Sequence, residues 1–461
     1  MKRLNLSRSY LPAIVLLLSA QILVSGAVWA NQKAQQSGSP NIAERAREMM
    51  PVAEDLRGLS FITDLPVELV TQEEMSRIIA RELQRQISEE DDLAFSAMYT
   101  MLGLIQQGSS MLGDYRTMAE EQVAGLYDPE AKRFYVVDID LGSVLAAMFG
   151  GLGALGSFME GFLGAFDFDM TDTIIVHELI HALDDQHFDI QGKMDELLES
   201  DSDDSQLAYQ SLLEGNATRI MNEYAYSRLG MDETMIDTYS ELSVSLAEGM
   251  LEYSPFLERI MIVPYFQGEA FVNYILDTGG QNALDRVFVD PPVSMEQILH
   301  PERYSPSRDV PSSATKPDLS GALPDWRLEA TDTLGELIIG LMFEMKTADK
   351  ELAARVADGW DYDAVTTWRA PNGDLALAWV TVWDSEADAG EFFDAYLDYL
   401  DIIFPQGSWR ARESDYALYT GMALAAAVER EDRLVVVVEG VPERLIDRCL
   451  DAARPDRVAY R

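Results

Sequence analysis

An α+β fold is the architecture this sequence predicts. A mostly helical domain spans 42–304 and carries a short edge-strand sheet, and a small C-terminal α+β domain spans 325–461. Three observations point to it. Apolar residues recur at helical spacing through most of the first part, and two β-rich runs flank a turn inside it. Past the Pro- and Ser-rich stretch 305–324, which reads as a linker, strand-like apolar runs are each followed by a helical pattern. The 461-residue chain is long enough for two domains, and its 48% hydrophobic content argues for packed cores rather than disorder.

From the N-terminus, Lys2, Arg3 and Arg8 precede an apolar run from Leu11 to Val28 that closes on Ala27-Val28-Trp29-Ala30. This predicts a signal peptide at 1–30, with an uncleaved anchor helix as the alternative, and hence a secreted or periplasmic protein. No lipobox cysteine accompanies it. A polar leader follows at 31–41. Val123–Pro129 and Arg133–Asp138 then flank Asp-Pro-Glu-Ala-Lys as a hairpin, with Arg133–Asp138 the candidate edge strand and a core hairpin the alternative. Residues 141–166 form a glycine-punctuated apolar stretch, long enough by length to span a bilayer. Its glycines and Glu160 favour a buried hairpin or a flap over a cleft, and membrane contact is the alternative reading.

His177-Glu178-Leu179-Ile180-His181 comes next, with two of the chain's 4 histidines at i, i+4. At about 100° per residue both imidazoles leave one helix face and can reach a single cation, while Glu178 points about a quarter turn away, as a base beside a metal should. Thr171, Asp172 and Thr173 offer N-cap oxygens, and Ile175, Leu179 and Leu183 form the stripe to be buried. Asp184 and Asp185 could accept a free ring N–H and fix a tautomer. Two histidines leave a catalytic zinc one protein ligand short. Cys449 lies far along the chain, and His187 sits at the end of the same helix. Glu214, after two leucines and before a glycine in an amphipathic run from Gln206 to Arg228, is the candidate third ligand, with Glu223 its substitute and Glu196 and Glu199 further alternatives.

At these residues the chain resembles the gluzincin zinc metallopeptidases, in which H-E-x-x-H is completed by a glutamate on a later helix. Glu214-Gly215-Asn216-Ala217 is similar to that second motif. The resemblance implies Zn2+ on His177, His181 and Glu214, Glu178 as general base, and a zincin-like first domain. It implies a metallohydrolase, an endopeptidase acting on a peptide or protein substrate, which the signal peptide makes an exported one. The metzincin continuation is absent and so is a G-A-M-E-N-type sequence, which argues against the aminopeptidase branch. The acidic run 199–204 is expected to loop out between the two motifs.

Downstream, Pro264-Tyr265-Phe266-Gln267-Gly268 opens a helix, and Gln297-Ile298-Leu299-His300-Pro301-Glu302-Arg303-Tyr304 follows. His300 and Tyr304, with Tyr265, are candidate donors to an oxyanion, against a capping or packing role beside Pro301. In the last part, Leu375–Asp384 and Arg433–Glu439 predict strands, and Ser385–Phe404 and Glu443–Ala453 predict helices. No histidine occurs there. Net charge of -44 repels nucleic acid and anionic lipid and suits a salty medium. A secreted binding or assembly protein that keeps the fold without turnover is the rival reading.

Overall fold

A computed structural model gives the fold, with residues 42–115, 125–137, 170–198, 202–231, 254–421 and 424–460 described. The expected signal peptide, leader and apolar stretch 141–166 lie outside them. The protein is α+β. Its first part opens with α1 (Ile42–Arg57) and β1 (Val67–Val70), then α2 (Gln72–Gln86) and α3 (Glu89–Met101). Capping boxes start α2 and α3: the Thr71 and Ser88 hydroxyls accept the amides of Glu74 and Asp91, whose carboxylates accept back. A hairpin follows, β2 (Gly125–Asp128) and β3 (Arg133–Val137), turning through Lys132 at φ 50°. β3 also pairs parallel to β1, so the strand order is β1-β3-β2. This corrects the expectation for Arg133–Asp138: its described residues, Arg133–Val137, form the middle strand, with β2 at an edge of the sheet as far as the described residues go.

α4 (Met170–Phe188), α5 (Ile190–Leu198), α6 (Asp203–Leu229), α7 (Pro255–Gly279), α8 (Gln281–Val289) and α9 (Met295–Leu299) complete this part. Thr171, Asp172 and Thr173 stand inside the first turn of α4 rather than capping it. Asp172 instead accepts Arg45 of α1 at 2.6 Å and the Tyr224 hydroxyl of α6 at 3.0 Å, tying three helices together. Ile175, Leu179 and Leu183 are buried as expected, but so is every residue from Asp172 to Asp185. A helix enclosed on all sides has no solvent face, so one apolar stripe could not have described it. Asp203 and Asp204 do not loop out: Ser202 caps α6 and both aspartates are buried in its first turn.

Residues 305–324 pack against the later chain instead of running free. Ser312 donates to Asp361, β4 (Ser313–Ala314) pairs with β12 (Val458–Ala459), and Leu319, Ala322 and Leu323 are buried. Beyond them lies a seven-stranded antiparallel sheet in the order β5-β6-β7-β11-β10-β9-β8. It is built from β5 (Arg327–Asp332), β6 (Trp360–Arg369), β7 (Leu375–Trp383), β8 (Ser408–Arg412), β9 (Tyr416–Gly421), β10 (Leu424–Glu431) and β11 (Leu434–Val441). Period-two alternation sends Leu377, Trp379 and Trp383 of β7 to one face, against α12 (Glu386–Ile403), and Ala376, Ala378 and Val380 to the other, against α13 (Ile446–Ala453). α10 (Gly335–Thr347) and α11 (Lys350–Ala357) join the α12 side. Buried Asp363 accepts the amides of Leu334 and Gly335 and the indole N–H groups of Trp360 and Trp379, all at 2.9 to 3.1 Å.

The apolar core on the α12 face is continuous with the first part. Tyr99 and Phe256 belong to the same cluster as Trp379 and Phe392, and the Tyr399 hydroxyl donates to the Leu102 carbonyl at 2.5 Å. No helix among the described residues is long and apolar enough to cross a membrane.

Candidate metal centre

α4 and α6 bring the sequence-selected ligands together. The His177 and His181 Nε2 atoms are 3.1 Å apart, and Glu214 Oε2 lies 3.2 Å from the first and 3.5 Å from the second. All three residues are buried. Ligands about 2.0–2.1 Å from a tetrahedral ion stand roughly 3.3 Å apart, so these three atoms fit three corners around zinc. Structural zinc sites have four protein ligands, whereas this group has three among the described residues, as catalytic sites do. The alternatives to Glu214 are placed elsewhere: Glu223 pairs with Arg219 at the surface and Glu196 with Lys193, while Glu199 is outside the described residues. His187 reaches the Ser60 carbonyl, and Cys449 is buried beneath the sheet.

The electrostatics favour a cation at this point. Burial alone would lower the His181 pKa, but the Glu214 carboxylate, with Glu178 and Asp184, outweighs it and raises it to about 9. Burial would raise Glu214, yet the two imidazoles bring it down to about 2. Glu178 is pushed up, chiefly by burial, against the pull of both histidines. The carboxylates thus draw positive charge into a buried spot, which a proton on the imidazoles or a divalent ion can supply.

Glu178 is held by the sheet. Its Oε2 accepts the Tyr127 amide of β2 at 2.7 Å, while its Oε1 is buried with no hydrogen-bond partner among the described residues. The orphaned buried oxygen is a group awaiting a proton donor.

Asp184 and Asp185 depart from their expected role. Neither bonds a histidine ring, and His177 Nδ1 has no partner among the described residues. Asp184 accepts buried Arg57 at 2.6 Å and Asn216 at 2.6 Å, and Asp185 accepts the Tyr127 hydroxyl at 2.5 Å and Lys132 at 2.7 Å. They therefore position backbones. Asp184 joins α4 to α6 three residues past His181 and two past Glu214, and Asp185 holds the hairpin that contacts Glu178.

His300 and Tyr304 also depart from theirs. His300 Nε2 lies 2.9 Å from Glu336, and Tyr304 donates to the Asp290 carbonyl at 2.6 Å and packs edge-on against Phe271. No described contact joins either to the trio. Tyr265 takes the place instead. Its ring stacks on His177 with centroids 6.2 Å apart, and its hydroxyl bonds to Glu214, so burial and that carboxylate raise its pKa well above the ordinary value. Two glycines make this approach. A Cβ on Gly215 would lie 2.0 Å from the Gly268 carbonyl carbon, and one on Gly268 would lie 1.9 Å from the Ser211 carbonyl oxygen. α6 and α7 therefore touch backbone to backbone, one residue past Glu214 and three past Tyr265.

Residues 326–449 match a family model described as a domain of unknown function, DUF8575, which covers the sheet and not the metal centre. No curated protein matches the chain. A crystal structure from Chloroflexus aurantiacus, described provisionally as a hydrolase with a novel fold, aligns at 17% identity and a TM-score of 0.36, covering 64% of this chain and 97% of that one. So distant a likeness carries no argument about fold or activity.

Proposed function

We propose that this protein is an exported zinc-dependent metallohydrolase, and specifically an endopeptidase. The observation that carries the reading is the convergence of His177, His181 and Glu214 at tetrahedral spacing beside a base with one free oxygen. His177, His181 and Glu214 would hold the zinc, which when bound would supply Lewis-acid polarisation of a carbonyl and a more acidic water. Glu178 Oε1 is the atom that would accept a proton from the attacking water and return it to the departing amine, while the Tyr127 amide keeps the carboxylate in place through Oε2. Tyr265 fixes Glu214 and is a phenol within reach of a developing oxyanion.

Digestion of a peptide library, with and without a chelator, tests this directly. Chelator-sensitive cleavage at internal bonds is expected, and no cleavage by zinc-loaded protein would sink the proposal. One observation favours a non-catalytic binding protein instead: His177, Glu178, His181 and Glu214 are each 8% exposed or less. The same digestion separates the two.

A further inference from the structure

Apart from the trio, the described residues hold a second group of donors close enough to share a cation: His300, Glu336 and Asp358, whose ligand atoms lie within 4.8 Å of one another. We propose that these three side chains form a second metal site, taking a divalent transition ion such as zinc and fastening the end of α9 to α10 and to the start of the sheet.

Each donor comes from a different segment. His300 terminates α9, Glu336 sits in the first turn of α10, and Asp358 follows α11 at the entry to β6. His300 Nε2 is 2.9 Å from Glu336 Oε1. Glu336 is 6% exposed, and its Oε2 is buried with no hydrogen-bond partner among the described residues. Native structures rarely leave such an oxygen unanswered, and an ion beside it removes the cost. The Asp358 side chain is 61% exposed, which gives an ion a route from solvent and space for water ligands. Charge points the same way. Arg303 contacts Glu296, Asp384 and Asp358, so with Glu336 four carboxylates meet one guanidinium beside the imidazole. One imidazole with two carboxylates suits zinc or manganese, whereas calcium prefers an all-oxygen shell.

Three protein donors leave corners that solvent fills, so the proposed ion is a water-completed cross-link between segments rather than a closed four-ligand centre. A chain with 1 cysteine cannot form an internal disulfide, and a metal at this point cross-links segments that the sequence separates. The site is independent of the catalytic proposal and stands or falls separately.

The test clears the first site with His177→Ala/His181→Ala, loads that protein with Zn2+, dialyses it and measures metal by mass spectrometry. About one equivalent is expected to remain, to raise the melting temperature, and to fall at least tenfold in affinity with added Asp358→Asn or His300→Ala. Asp358 is largely exposed, so its substitution spares the fold. Should the double variant melt without cooperativity, the comparison moves to the wild-type background, where Asp358→Asn is expected to lower bound zinc by about one equivalent whatever the first site holds. No zinc retained by a folded double variant, or retention unaffected by Asp358→Asn and His300→Ala, would mean His300 and Glu336 are an ordinary ion pair and overturn the proposal.

Discussion

Glu178 concentrates the chemistry of this chain in one side chain, with one oxygen tethered to a strand amide and the other left for a proton. Glu178→Gln keeps the shape and the tethered acceptor but cannot take that proton. We expect unchanged zinc content with hydrolysis reduced at least about 100-fold, measured as metal stoichiometry beside turnover of a cleaved peptide. Glu439 makes a second prediction at this scale. It is buried beneath the Tyr396 hydroxyl, which donates at 2.6 Å, and burial pushes its pKa up to about 7. A carboxyl raised on folding stabilises the protein fully below its unfolded value and loses that contribution as pH climbs through the folded one. Glu439→Gln should therefore flatten the stability profile between about pH 4.5 and 7 and stabilise the protein above it, on the order of 3 kcal/mol, read from urea melts across that window. At residue scale the candidate ligand trio was legible, because i, i+4 histidines and an apolar-flanked glutamate are a local pattern. The partners of Asp184, Asp185, His300 and Tyr304 were not, since Arg57, Lys132, Glu336 and Asp290 reach them only after the chain has folded.

Elements show the same division. The β2–β3 hairpin, β7, β11, α12 and α13 fall close to where apolar runs and turn residues place them. β1, β8 and β10 do not announce themselves: β1 has four residues, β8 alternates with charged arginines, and Ala425-Ala426-Ala427 in β10 have little strand preference of their own. Neighbouring strands define them, which a one-dimensional pattern cannot show. The α6–α7 contact is the element on which the metal centre leans most. Gly268→Ala forces a methyl toward the Ser211 carbonyl and should cost about 2 kcal/mol or more, measured by denaturant unfolding. Because the same crossing sets Tyr265 against Glu214, the variant should also release zinc more readily to a competing chelator.

Across the whole molecule, the boundary that composition suggests at 305–324 is not a boundary of the core. Tyr99, Phe256, Trp379 and Phe392 share one cluster, and Arg327 of the sheet also pairs with Glu90 of α3. A fragment ending at Pro324 would expose that shared surface. We expect it to lack the cooperative thermal transition of the full chain in circular dichroism, and a sharp melt would show that the two parts fold alone. The continuity extends to bound ligands. Parts that unfold together share their ligands' stabilisation, so anything that grips the β-sheet raises the temperature at which the distant centre comes apart. A partner bound to the sheet would then protect the α4–α6 centre against heat without ever approaching it.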